Sequence, residues 1–389
     1  MERGLRRVDA DHRPVAQIAS AAVLIFSQRG KKKIRSPLSF GPKVTADATR
    51  LFHPHLNRHF RTCLPHHPRR LHSIVKASLP VALMAFALLA GPGCAALNQT
   101  AVNQLGDALA NGDAGFATDD DPELIRSAAP FSLKLVESLL IETPTHRGLR
   151  LAAASGFTQY AYLFLEQDAD LMADQDFAGA SLLRTRARRL YLRARDHGLR
   201  GLDSAHKGFA TRLRADPTTA VQAAVADDVP LLFWTAAAWG AAITLSKDNA
   251  DLIADQVLVE ALIDRALALN ERFEAGAIHA FLITYEMARQ GAAGDPAARA
   301  RQHFERAMEL GAGGQAGPLV SLAEAVAVAK QDRPEFQALL KRALAINPDA
   351  HPEWRLANLV MQRRARWLLS HTDELILPEV NLPVPKETP

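Results

Sequence analysis

One spacing, met four times, constrains this chain more than any other feature. A small or apolar residue is followed four positions later by a large apolar one, and three after that by alanine. The four instances are Ala187…Tyr191…Ala194, Val259…Ile263…Ala266, Ala300…Phe304…Ala307 and Phe336…Leu340…Ala343. Offsets of four and three put all three residues on one face of an α-helix. Alanine on that face lets a neighbouring helix lie close. From residue 121 onward no alternating strand pattern of useful length occurs, and alanine-rich amphipathic segments are broken by Pro, Gly, Asn and Asp. The expectation is an all-α chain of antiparallel helix pairs.

The key alanines lie 72, 41 and 36 residues apart, and Pro348 follows Ala343 by five. This resembles the second helix of a tetratricopeptide repeat, whose period is about 34 residues. The fold expected is therefore a degenerate tetratricopeptide-like solenoid of stacked helix pairs. Its irregularity is assigned to insertions such as Gly291–Pro296 and Gly311–Gly317. Partner helices are predicted at about 147–166, 230–246, 273–289 and 317–330, with a last helix at about 351–370.

The array has a well-marked beginning. Asp121 is a good N-cap, Pro122 fits the first helical position, and Glu123 sits at the positive end of the helix dipole. Leu124, Ala128, Phe131, Leu133, Leu135, Leu139 and Leu140 then recur at helical spacing, and Thr143-Pro144 stops the helix. The next helix is expected to be small on one side (Ala152, Ala153, Ala154, Gly156) and aromatic on the other (Phe157, Tyr160, Phe164).

Charge divides the chain. Residues 1–93 hold 16 Lys+Arg against 4 Asp+Glu, and the remainder holds 30 against 38. The sequence pI near 9.1 therefore describes the front end. The acidic remainder would repel phosphate, so no nucleic-acid partner is expected. Both cysteines, Cys63 and Cys94, fall in the first quarter, so a disulfide framework or thiolate metal site is excluded from the rest. Five histidines surround Cys63 in a segment without periodicity, and the expectation for residues 1–68 is a disordered upstream extension from a misplaced start.

Residues 69–93 have the layout of a secretory signal peptide. Arg69-Arg70 and Lys76 precede an apolar run from Leu79 to Leu89, and Ala90-Gly91-Pro92-Gly93 leads to Cys94. The run is too short for a bilayer core of roughly 30 Å. Cys94 is placed as in a bacterial lipobox, although Gly91 stands where leucine is usual. Acylation at Cys94 would give a membrane-anchored lipoprotein, with residues 94–118 as a tether, 119–372 as the helical domain and 373–389 as an extended tail. Ala95, not Asp, follows the cysteine, so the periplasmic face of the outer membrane is the expected location.

No Gly-x-Ser-x-Gly, P-loop, Gly-x-Gly-x-x-Gly or His-Glu-x-x-His occurs, and the seven histidines after residue 93 are scattered. No catalytic residue, metal or cofactor is expected. Eight aromatic side chains and one glutamine are the candidate ligand-binding residues. They are Phe157, Gln159, Tyr160 and Phe164 on one partner helix, Phe233, Trp234 and Trp239 on the next, and Phe281 and Tyr285 on the third. Stacked helix pairs form concave grooves, and aromatics with polar tips would suit an apolar or amphiphilic ligand.

Several stretches carry a family resemblance. Asp120-Asp-Pro-Glu-Leu-Ile-Arg126, Pro130-Phe-Ser-Leu-Lys-Leu-Val-Glu-Ser-Leu-Leu140, Leu151-Ala-Ala-Ala-Ser-Gly-Phe-Thr-Gln-Tyr-Ala-Tyr162 and Leu232-Phe-Trp-Thr-Ala-Ala-Ala-Trp-Gly240, together with the lipobox-type start, resemble the T component associated with TRAP transporters. The resemblance covers about 95–375. It implies a non-enzymatic periplasmic helical lipoprotein, homo-oligomeric, that partners the transporter's solute-binding protein and helps deliver a small hydrophobic solute. The alternative is a tetratricopeptide-like scaffold lipoprotein in envelope assembly that grips a protein or peptide.

Overall fold

The computed structural model describes Gln104, Gly106 and residues 113–377. Cys94, the signal-peptide and extension segments and the tail from 378 lie outside the described residues. Every regular element described is helical, with no strand among the described residues. In chain order the helices are α1 (Asp113–Ala117), α2 (Pro122–Glu142), α3 (Arg147–Tyr160), α4 (Gln167–Met172), α5 (Phe177–Ala205), α6 (Phe209–Ala215), α7 (Pro217–Val221) and α8 (Val229–Thr244). They continue with α9 (Ala250–Ala254), α10 (Gln256–Leu269), α11 (Ala277–Ala288), α12 (Pro296–Leu310), α13 (Ala316–Leu322), α14 (Arg333–Ala345), α15 (Arg355–Ser370) and α16 (Thr372–Leu375).

The four repeated spacings fall in α5, α10, α12 and α14. Ala187, Ala194, Ala266, Ala300, Ala307 and Ala343 are all buried, as are Tyr191, Ile263, Phe336 and Leu340. Each of these helices packs against the partner that precedes it: α5 on α3, α10 on α8, α12 on α11, and α14 on α13. Short polar residues start the elements. Asp121 accepts from the backbone N–H groups of Glu123 and Leu124, Asp176 from Gly179, Asn249 from Leu252, Asp295 from Ala297 and Ala298, and Asp332 from Glu335.

The α2 boundaries are as the sequence predicts, and Pro130 sits inside the helix without ending it. The buried face differs from the predicted one. It runs Ile125, Ala129, Leu133, Val136, Leu140, while Leu124 and Phe131 remain 56% and 74% exposed. The small side of α3 does admit a close neighbour: a Cβ at Gly156 would stand 2.6 Å from Leu133 Cδ2 of α2. The aromatic and small sides of α3 are both buried, because α2 covers one and α5 and α8 cover others.

Two partner helices are interrupted by π turns. Ala161–Glu166 joins α3 to α4, and Ala323–Ala327 continues α13. A π turn widens the ladder by one residue and turns the following side chains onto a new face.

The last helix returns to the first pair. Tyr162 Oη lies 3.9 Å from Met361 Sδ, and Arg363 donates to the Leu163 carbonyl at 3.4 Å. Arg355 donates to the Thr118 carbonyl at 3.1 Å. On its other flank α15 caps its neighbours. Asn358 Oδ1 accepts from Ala316 N and its amide donates to Gly314 O, both at 2.9 Å, and Gln362 donates to Ile346 O at 2.7 Å. Beyond residue 372, where an extended tail was expected, α16 adds a helical turn and Ile376 is buried.

Candidate functional site

The partner helices α3, α8, α11 and α13 form the interior. From Val229 to Thr244 only Pro230 is not fully buried, because α8 is apolar around its whole circumference and can sit only at the centre. The nine candidate ligand residues, Phe157, Gln159, Tyr160, Phe164, Phe233, Trp234, Trp239, Phe281 and Tyr285, are all buried.

The structure groups some of them and separates others. Phe233 packs edge-on to Trp234 at 5.1 Å between ring centroids and to Phe281 at 6.4 Å, and Phe281 stacks on Tyr285 at 5.3 Å. Phe273, which the sequence did not single out, joins them 5.4 Å from Phe233. Tyr160 and Phe164 form a second contact at 5.6 Å. Phe157 and Trp239 face cations instead. Phe157 stacks on the His197 ring and lies under Arg193. Trp239 lies between Arg195 and Arg214, 5.0 and 5.5 Å from its centroid.

Among the described residues, five polar atoms of the partner helices are buried without a hydrogen-bond partner: Gln159 Oε1, Trp239 Nε1, His279 Nε2, Thr284 Oγ1 and Ser321 Oγ. Each partner helix, α3, α8, α11 and α13, carries at least one, with two on α11. Each such atom costs about 1–3 kcal/mol unless something outside the chain satisfies it.

A second constellation was missed by sequence reasoning. Both π turns carry a buried carboxylate, Glu166 and Glu324, and α15 supplies an arginine between them. Arg364 donates to Glu324 at 2.7 and 3.0 Å and lies 3.0 Å from Asp170 of α4. Arg184 of α5 donates to the other Asp170 oxygen at 2.9 Å. Tyr191 donates to Glu166 at 2.6 Å. Two guanidinium groups thus balance two carboxylates, and Glu166 is the odd acid. Burial, with the Asp170 charge beside it, pushes the Glu166 carboxyl up to about 8, so it is protonated in the fold at neutral pH. The available signal was a lone glutamate in an apolar stretch of the first and last partner helices.

The α11–α12 pair holds a third polar contact. His279 and His303 meet Nδ1 to Nδ1 at 2.9 Å, so only one of the two nitrogens carries the hydrogen. Burial and the neighbouring His279 ring push His303 down to about 4. The arginine-rich face of α5 is matched by acids: Arg184 by Asp170, Arg188 by Asp248, Arg193 by Glu137 and Arg195 by Asp196.

A family model for the TRAP transporter T-component matches residues 118–376. The chain belongs to the TRAP transporter T-component family. The match spans α2 to the end of α16, so both π turns and the return of α15 lie inside the T-component region. An uncharacterized protein of Treponema pallidum (strain Nichols) is 27% identical over 266 residues, 67% of this chain and 82% of that protein. T-components are accessory parts of TRAP transport systems and are not a known enzyme family. No helix among the described residues is long and apolar enough to cross a membrane.

Proposed function

We propose that this T-component is a periplasmic lipoprotein, anchored through Cys94 to the outer membrane, that docks the solute-binding protein of its TRAP system and shelters a small hydrophobic solute. The observation that carries the ligand part is the interior itself. The partner helices α3, α8 and α11 and the π turn after α3 bury the aromatic side chains, and α3, α8, α11 and α13 each bury at least one polar atom without a hydrogen-bond partner. An amphiphile with a long apolar body and few polar groups matches that lining. For docking, Leu124, Phe131 and Ile141 on α2, with Phe177 and Leu182 at the start of α5, present large apolar side chains to solvent. Such exposure accompanies protein contact surfaces, and a second copy of the chain could occupy part of it. The scaffold alternative requires an accessible concave face, and the full burial of α8 gives it no support.

The test uses protein extracted in detergent from its native membrane. Organic extraction and mass spectrometry should recover a stoichiometric apolar acid or similar amphiphile, and the solute-binding protein should co-purify. Gln159→Leu should lower ligand recovery while leaving the partner bound. Outer-membrane fractions should contain the acylated chain. Absence of both ligand and partner from folded protein would overturn the proposal.

A further inference from the structure

The end of the domain offers chemistry unrelated to the aromatic interior. His371 follows the last turn of α15. Its Nδ1 lies 2.8 Å from the Trp367 carbonyl oxygen. A carbonyl only accepts, so Nδ1 carries the hydrogen and Nε2 of the neutral ring holds a lone pair. The ring is held in place as well: it stacks on Trp367 at 4.4 Å between centroids, and Arg364 lies over the Trp367 ring at 4.5 Å. Ser370 Oγ is a further neighbour of Nδ1 at 3.0 Å.

The Nε2 atom of this oriented imidazole faces the Asp174 carboxylate, and Glu374 stands close to both residues. Asp174, in the turn between α4 and α5, places Oδ2 3.7 Å away. One ligand atom from each of Asp174, His371 and Glu374 lies within 4.8 Å of the other two. The Nε2–Oδ2 separation is too long for a hydrogen bond. It is close to the roughly 3.3 Å between two ligand atoms that bonds of about 2.0–2.1 Å produce at a tetrahedral zinc ion. Asp174 and Glu374 are exposed side chains, so rotamer adjustment can close the remainder. The hydrogen bond from Nδ1 to a backbone carbonyl is the outer contact that orients metal-bound histidines.

We propose that Asp174, His371 and Glu374 form a divalent-cation site that fastens the turn between α4 and α5 to the C-terminal turn. One imidazole nitrogen with two carboxylate oxygens suits zinc, with water completing the coordination. Calcium and magnesium favour oxygen-only sites and fit the set less well. The site joins the first repeat to the end of the chain, so an ion there would hold α15 and α16 against α4.

The test uses the whole protein stripped with chelator and titrated with zinc chloride, and it reads hydrogen exchange by peptide. The site-specific readout is needed because the histidine-rich segment before Cys94 can also take zinc. Zinc should slow exchange at least threefold in peptides covering 172–177 and 370–376, with saturation, and magnesium at the same concentration should not. His371→Asn and Asp174→Asn should each abolish that protection, measured against the same variant without metal, and Asp174→Asn, whose side chain is exposed, should leave the metal-free melting temperature unchanged. Unaltered exchange in both peptides at saturating zinc, or protection that persists in His371→Asn, would overturn the proposal.

Discussion

Glu166→Gln should make the domain more stable at neutral pH, although it removes an acidic residue that sits beside an ion-pair cluster. Glu166 is buried in the first π turn, accepts a 2.6 Å hydrogen bond from Tyr191, and holds its proton up to a pH of about 8. In the unfolded chain the same carboxyl titrates near 4.5. The folded pKa is raised, so between these values the fold binds a proton that the unfolded chain has released. Stability is fully present below 4.5 and falls as pH rises toward 8. Each pH unit in that window is worth about 1.4 kcal/mol, so by pH 7 the loss has grown to about 3 kcal/mol. Glutamine reproduces the neutral acid: its carbonyl accepts from Tyr191 and it has no proton to release. The variant should come within about 1 kcal/mol of the wild type at pH 5 and exceed it by about 3 kcal/mol at pH 7. For a domain of this size that is roughly 6–12 °C in melting temperature. Urea denaturation followed by circular dichroism at pH 5, 6, 7 and 8 measures the difference. A variant destabilised by the same amount at every pH would refute the reasoning. It would mean that Glu166 is ionised in the fold and draws on Arg364 and Arg184.

Arg364→Met should lower stability by roughly 3–5 kcal/mol, because it removes the guanidinium that balances buried Glu324 and Asp170. Adding Glu324→Gln should restore much of that loss in the same denaturation assay. Gly198→Ala should cost roughly 1–3 kcal/mol, since a Cβ there would stand 2.1 Å from Thr235 Oγ1 where α5 crosses α8. Gly115→Ala, with no atom within 4 Å of the added Cβ, serves as the near-neutral control.

What could be read in the sequence was whatever is encoded locally. The Asp121-Pro122 start and the Thr143 stop of α2 are set by backbone hydrogen bonding within a few residues, and both stand where predicted. The four spacings worked because alanine on a contact face is itself a record of a close helix neighbour. The inward face of α2 was misread because Leu124 and Phe131 form a second apolar stripe, and periodicity does not rank two stripes. The direction of Trp239 was illegible for a related reason: α8 is apolar on every side, so no face is marked. The π turns differ from α-helix by one residue in the ladder and leave no compositional trace. The Glu166–Arg364 cluster needed the pairing of residues about two hundred positions apart, which a single sequence does not display. Family resemblance reached further than local physics, because the stretches around Gly156–Ala161 and Leu232–Gly240 carry long-range constraints in their exact residues.

The return of α15 to the first helix pair also bears on how such a chain can change over generations. In an open array each unit touches only its neighbours, so a unit can be duplicated or lost with the remainder intact. Here Met361, Arg363 and Arg364 must meet Tyr162, Leu163 and Asp170. Inserting or deleting one helix pair would carry those partners out of register. Changing the number of units would break those contacts, whereas changing the length of a connection, such as the glycine-bearing turn between α11 and α12, would leave them in place.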